Sequence, residues 1–415
     1  MKILFLSIPV PFPPTDGGRI RILNVLKQIA QKNQITFLAL ETTPTDHEGT
    51  EYLRHLGIDA HLVPQAPHPP PLSLQTVVRA VIQKKPITVA RYDFPAFRQK
   101  LRSLLDNNAF DLIHYAMLHT AQYRVDANLP TLLSQHNVDS HIWRRLCEQA
   151  KNPVRKFLFW TQTRAFERYE RVMSARFNAV AVVSEIDRAR LRNICPDSTI
   201  EVIPNGVDIE QYQPNRPLEE EAVLIYTGSM DWYPNEDAVC YFAADILPQI
   251  RAILDEAKSR RAGLPGVKFY IVGKSPTDRV RKLAEQPGVI VTGCVEDIKP
   301  YIARASVYVV PLRIGGGTRL KILEALAMEK AIVSTTIGAE GLDLVNGEEI
   351  IVADDPNHFA DAVVQLMADK QMQRRIGEKG RQRIESDYGW RQIGEKLQAL
   401  YESIVMNAQQ QTNKH

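Results

Sequence analysis

PLRIGGGTRLKILEALAME, residues 311–329, decides how the rest of the chain is read. A run of apolar, largely β-branched residues from Ser306 to Leu312 halts before three consecutive glycines, Gly315, Gly316 and Gly317, and a helical pattern sets in at Thr318. The order is strand, glycine turn, helix start. Glycines let a backbone approach a ligand with no Cβ in the way. Free N–H groups at the helix start, reinforced by the helix dipole and by Arg319 and Lys321, suit a phosphate. Lys321 and Glu324 lie three residues apart and share a helix face, which sets a cation for phosphate beside a carboxylate for hydroxyls. The expectation is a nucleotide-sugar pocket; the plainer alternative is a tight βα turn followed by a helix with a surface Lys–Glu pair.

Outward from this stretch, 415 residues exceed one ordinary core and predict two domains. A chain 44% hydrophobic and 24% charged has the composition of a soluble globular protein. The net charge of +3 is uneven: residues 1–205 hold 26 Lys+Arg against 18 Asp+Glu, leaving 25 against 30 for the remainder. A basic first half can bring a domain to an anionic surface. Cys147, Cys195, Cys240 and Cys294 are spread out with neither a CxxC pair nor a Cys/His metal spacing, which points to a reducing, cytoplasmic setting without zinc. ILFLSIPV at the N-terminus is too short to span a membrane and reads as a buried first strand.

The first half alternates short apolar runs with helical ones. The runs are residues 2–8, 34–40, 58–64, 110–116, 131–137, 179–184 and 199–205. The second half repeats the scheme with 222–229, 267–273, 289–293, 306–312, 331–335 and 349–354. Strands alternating with helices predict βαβ units and parallel sheets. VPQAPHPPP, 63–71, reads as an exposed polyproline-like loop, and 206–221 as a polar linker between the domains. The expected domains are thus 1–205, 222–385, and a closing helix within 386–415 that ends in a disordered tail, NAQQQTNKH. Two doubly wound domains would set the carboxyl ends of their sheets on either side of a cleft, where open parallel sheets bind ligands.

Several fragments, in this order, carry a resemblance: TDGGRIRILNVLKQIA after the first strand, the strand-end His in SQHN, VIPNGVD, YTGSM, IVGKSP, GCVEDIKPYIARASVYVVPL and KILEALAMEKAIVSTTIGAEGL. Together they resemble the glycosyltransferase family 4 enzymes of the GT-B architecture over nearly the whole chain. The resemblance implies two Rossmann-like domains, a nucleotide-diphosphate-sugar donor held mainly by the second, an acceptor held mainly by the first, and metal-independent transfer with retention. Glu324 matches the second glutamate of the family's E-x7-E motif, whose carboxylate binds the donor ribose. The first glutamate is replaced by Gly316, which leaves sugar recognition to backbone N–H groups of Gly315, Gly316 and Gly317 or to another side chain. After YTGSM many members carry Arg and Lys for the diphosphate; here DWYPNEDAV has no cation, and Arg319 and Lys321 are the substitutes. Fixed cations and helix starts would then offset the charge growing on the departing diphosphate.

The remaining candidates follow from position. Gly17 and Gly18, between the first strand and its helix, read as a second backbone cradle or a tight turn, with Asp16 and Arg19 beside them. By the resemblance His136 lies near the anomeric carbon; a neutral imidazole can donate or accept there, and the alternative is a structural His before the helix from Asp139. Gly228 and Ser229 begin the floor of the donor pocket, and the resemblance places the base at Gly293, Cys294 and Val295. Asp343 and the Asp354–Asp355 pair read as a loop and a helix cap, so no metal or other cofactor is expected. Residues 143–176 hold nine Lys+Arg and three acidic residues around KFLFW. They read either as a surface that settles on anionic lipid, suiting a lipid-linked acceptor and peripheral membrane contact, or as ordinary packed helices. No nucleic-acid-binding pattern occurs. The expected activity is sugar transfer in glycolipid or surface-polysaccharide synthesis; the alternatives are a nucleotide-sugar epimerase of the same fold and a silent nucleotide-sugar binder.

Overall fold

Short apolar runs bounded by turn residues and separated by helical segments bury both faces, which is the signature of parallel strands covered by helices. The computed structural model describes residues 1–43, 45–64, 72–126, 128–214, 222–260 and 266–412. All seven runs of the first half become strands: β1 (Lys2–Leu6), β2 (Gln34–Leu40), β3 (Asp59–Val63), β4 (Leu112–Ala116), β5 (Thr131–Ser134), β6 (Ala179–Val182) and β7 (Ile200–Val202). The six of the second half follow as β8 (Val223–Thr227), β9 (Lys268–Val272), β10 (Val289–Gly293), β11 (Val307–Val310), β12 (Ile332–Ser334) and β13 (Ile351–Val352). They form two parallel sheets, ordered β3-β2-β1-β4-β5-β6-β7 and β10-β9-β8-β11-β12-β13. The expected α/β architecture of two doubly wound sheets is borne out.

The chain divides into two compact units, Met1–Asn205 with Trp390–His415, and Gly206–Gly389. In the first, the strand period of two sorts β1 between two cores. Leu4 and Leu6 pack with Phe97 and Phe166, whereas Ile3 and Phe5 pack with Leu26, Ile393, Leu397 and Tyr401. The last four belong to the Gly17–Ile29 helix and to the Trp390–Thr412 helix, which covers one face of this sheet. In each sheet the strand order reverses once, between β1 and β4 and between β8 and β11. These are the switch points at which loops diverge and leave room for a ligand.

Local expectations need amending in three places. Residues 206–214 are no free tether: Val207 bridges to Gly389, and Arg381 donates to the carbonyls of Ile209 and Tyr212, at 3.2 and 2.8 Å, which packs this segment onto the second unit. The glycine-loop helix runs Leu320–Ala327 with Arg319 as its cap, two residues later than the sequence pattern suggests. The closing helix, Trp390–Thr412, continues through residues expected to be disordered. Ala and Gln are good helix formers, so a helix already anchored by packing propagates through them. Residues 65–71 of the Pro-rich loop and 215–221 of the linker lie outside the described residues.

Candidate active site

The second unit gathers glycine turns at the carboxyl ends of neighbouring strands. Gly228 follows β8, Gly273 follows β9, Gly293 ends β10, and Gly315 to Gly317 follow β11. The first two turns touch: a Cβ on Gly273, whose φ is +156°, would sit 1.7 Å from the Gly228 carbonyl oxygen, so only glycine fits. Lys321 reaches across the switch point into this corner. Its Nζ donates to Asn235 Oδ1 at 3.1 Å and stands 3.9 Å from the centre of the Tyr226 ring. A Cβ on Gly228 would come within 2.8 Å of that Nζ. Burial holds the Lys321 ammonium well below the ordinary lysine range, Arg319 adds to the depression, and Glu324 opposes it.

Asn235, buried on the Tyr233–Tyr241 helix, fixes this corner. Its Oδ1 also accepts from the Tyr226 hydroxyl at 2.6 Å, and its Nδ2 donates to the Ser229 carbonyl at 2.8 Å. Two residues on, Asp237 takes a two-pronged ion pair from Arg313, at 2.6 and 3.0 Å, fastening the glycine loop to the same helix. The loop that lacks a cation therefore supplies hooks instead. Sequence pattern had singled out neither residue.

Arg319 turns back on its own loop. Its Nη1 donates to the carbonyls of Gly316 and Gly317, and a Cβ on Gly315, at φ +147°, would collide with the guanidinium. Thr318 lies between loop and cap and is partly buried. Glu324 accepts a hydrogen bond from the hydroxyl of Tyr212, a residue of the stretch assigned to the linker. Burial raises the Glu324 carboxyl above its usual range, while Tyr212 and Lys321 pull the other way. Gly293, at φ +71°, sits at a register shift of β10, with Val295 half-buried and Cys294 exposed. The structure thus joins Lys321 with Gly228 and Ser229, and Arg319 with the three glycines.

In the first unit, Gly17 opens the helix after β1, and Asp16 caps it by accepting from Arg19 N at 3.0 Å. Gly18 faces His136: a Cβ there would lie 3.8 Å from the imidazole Nδ1, which is buried and without a hydrogen-bond partner among the described residues. Burial, with Arg21 and His114 behind it, holds His136 well below the usual histidine range, so the ring is neutral. Arg21 is a further residue missed in the sequence. It is buried and donates to the carbonyls of Ile203 and Pro204 and to Asn205 Oδ1, all within 2.8 Å, and burial lowers it to about 10. His114, by contrast, is a core residue bonded to Tyr401 at 2.5 Å. Just after His136, Glu170 accepts from Ser140 N at 3.2 Å and Ser140 Oγ at 2.5 Å, pinning the start of the Asp139–Gln149 helix.

Comparison with known proteins agrees with this layout. A Glycosyltransferase Family 4 model matches residues 47–211, and a model of glycosyl transferases group 1 matches 221–369. A 44.6 kDa protein of the cps region of Klebsiella pneumoniae is 19% identical over 88% of this chain and 90% of its own length. The capsular polysaccharide biosynthesis glycosyltransferase CapM of Staphylococcus aureus is 23% identical over 52% of this chain and 59% of its own. A GDP-mannose-dependent phosphatidylinositol monomannoside mannosyltransferase of Corynebacterium glutamicum is 25% identical over 49% and 56%. The chain spans less than two thirds of these last two. Among solved structures, the fold is shared with sucrose-phosphate synthase of Thermosynechococcus elongatus, at TM-score 0.73, 17% identity and coverage of 98% and 100%. It is shared too with Anabaena HepE in complex with UDP, at TM-score 0.66, 16% identity and coverage of 97% and 100%. Two switch-point edges and two matched halves define the class: the chain is a transferase enzyme of the GT-B architecture. Family 4 glycosyltransferases are matched in its first half and group 1 glycosyltransferases in its second.

Proposed function

We propose that this enzyme moves a sugar from a nucleotide-diphosphate donor held by the second unit to a saccharide or lipid-linked acceptor held by the first, with retention and without a metal. The observation that carries this is the Lys321 ammonium, fixed by Asn235 against the Gly228–Ser229 turn, with Glu324 one helical turn further on. A diphosphate lying on that turn meets a desolvated cation and backbone N–H groups, and the charge that develops on the leaving group is offset by both. Glu324, oriented by Tyr212, takes the ribose hydroxyls. With Gly316 where the family has a glutamate, backbone amides of Gly315 to Gly317 hold the transferred sugar, and Arg319 braces that loop. His136, neutral and with Nδ1 unbonded, accepts from or donates to a hydroxyl of the sugar or acceptor.

Relatives concerned with capsular polysaccharide and phosphatidylinositol mannosides, and UDP in the HepE complex, support a donor and acceptor of these classes. In this reading the basic 143–176 stretch makes peripheral contact with the membrane that carries the acceptor. Incubation with a panel of labelled nucleotide sugars tests it. The expected product is free nucleoside diphosphate, accelerated by acceptor. An isomerised sugar on an intact diphosphate identifies an epimerase instead, and saturable binding with no turnover identifies a silent binder.

A further inference from the structure

A surface helix normally turns its apolar stripe to the core. The Leu74–Ile82 helix does the reverse: of its nine residues only Ala80 is buried, while Leu74, Val78, Val81 and Ile82, one stripe at helical spacing, are 48–79% exposed. Leu72, just before it, is 59% exposed. The same inversion recurs at the start of the Pro153–Ser174 helix, where Val154, Phe157, Leu158 and Trp160 are 49–66% exposed and the rings of Phe157 and Trp160 stack on each other. The two helices belong to one unit. The first packs on the short Ile87–Ala90 helix, and Ile87 N donates to Gln162 Oε1 of the second at 3.1 Å. Patches of contiguous exposed apolar surface mark interaction sites.

Charge says what covers them. From Leu72 to Lys85 the chain carries Arg79, Lys84 and Lys85 and no acid; from Lys151 to Trp160 it carries Lys151, Arg155 and Lys156 and no acid. Among the described residues Lys84, Lys151, Arg155 and Lys156 have no ion-pair partner, although ion pairs are common elsewhere on this unit. An apolar stripe bordered by unpaired cations fits the acyl and headgroup boundary of an anionic bilayer. A second copy of the chain docked symmetrically on this face would set like charges against each other.

We propose that Leu72–Lys85 and Lys151–Trp160 are two halves of one docking face that settles on an anionic lipid surface. This extends the membrane contact read for 143–176 to a second helix that composition alone does not single out, and it holds whether or not the acceptor is lipid-linked.

The test is co-sedimentation of the full chain with phosphatidylcholine vesicles containing roughly one quarter phosphatidylglycerol, against phosphatidylcholine alone. The expected result is salt-sensitive binding to the anionic vesicles, weakened roughly tenfold in each of two variants, V81E/I82E and F157E/W160E. Because these side chains are exposed, both variants keep the wild-type circular dichroism and melting temperature. Failure of the wild type to bind, or wild-type binding by either variant, overturns the proposal. So does a wild-type dimer in sedimentation velocity that both variants dissociate, since the face then belongs to a second copy. Donor turnover on a soluble acceptor reports separately on the transferase: vesicle binding without turnover defeats that reading and leaves this one standing, and turnover without vesicle binding does the opposite.

Discussion

Lys321 and Asn235 set the terms at the scale of single residues. Removing the ammonium leaves the leaving diphosphate facing only backbone dipoles, so Lys321→Ala is expected to lower kcat with a labelled donor by roughly a hundredfold or more. Glu324→Ala is expected to lower kcat/KM as well, chiefly through a raised KM for the donor, because the ribose contact persists from ground state to transition state. Full activity in both variants removes the donor from this corner. Asn235→Ala frees the ammonium while leaving it in place. A raised donor KM with the fold intact, partly rescued in Asn235→Gln and not in Asn235→Leu, marks it as a positioning residue. His136 yields a pH prediction. Its protonation lies well below the usual histidine range, so kcat/KM carries no acidic limb from this ring between about pH 6 and about pH 8. A limb in that window that vanishes in His136→Asn contradicts the neutral, buried imidazole.

The helix from Asp139 to Gln149 shows how an element is held and what holding it costs. Burial raises the Glu170 carboxyl to about 8, Asp139 being a further cause, and burial raises Asp139 itself to about 7. Because the folded-state values lie above the unfolded ones, the stability these groups contribute is complete below about pH 4 and lost as pH rises through 7 to 8. Melting temperature is therefore expected to fall from about pH 5 to about pH 8.5, and Glu170→Gln to flatten that slope. An unchanged slope refutes the assignment. The elements themselves were legible: thirteen apolar runs are thirteen strands, since buried parallel strands announce themselves by composition and turn residues. The end of a helix was less so. Arg319 shifts the start to Leu320 by bonding back to the Gly316 and Gly317 carbonyls, a choice the alternation of apolar residues cannot express. Contacts such as Lys321 with Asn235, or Glu324 with Tyr212, join residues 86 and 112 positions apart, from 321−235 and 324−212. They follow from the closing of a sheet, not from local spacing, and so the site was legible in its glycines and cation but not in what holds them.

For the molecule as a whole, a ligand that binds only the folded state raises its melting temperature in proportion to the logarithm of its concentration. A thermal-shift screen across nucleoside diphosphates, with the monophosphates as controls, is expected to single out one base, and the diphosphate is expected to exceed its monophosphate because Lys321 meets the additional charge. Equal shifts from both separate nucleotide binding from the lysine. In Lys321→Ala the difference between diphosphate and monophosphate is expected to disappear.

The first unit is assembled from two segments that flank the second. Ile3 and Phe5 of β1 share a core with Ile393, Leu397 and Tyr401 of the terminal helix, and the whole of Gly206–Gly389 intervenes. During synthesis, then, one side of the first sheet stays only partly covered, by the Gly17–Ile29 helix, while nearly two hundred further residues are translated. Its apolar strip is sealed only when the Trp390–Thr412 helix leaves the ribosome, which makes any nascent chain stalled short of Trp390 a substrate for chaperones.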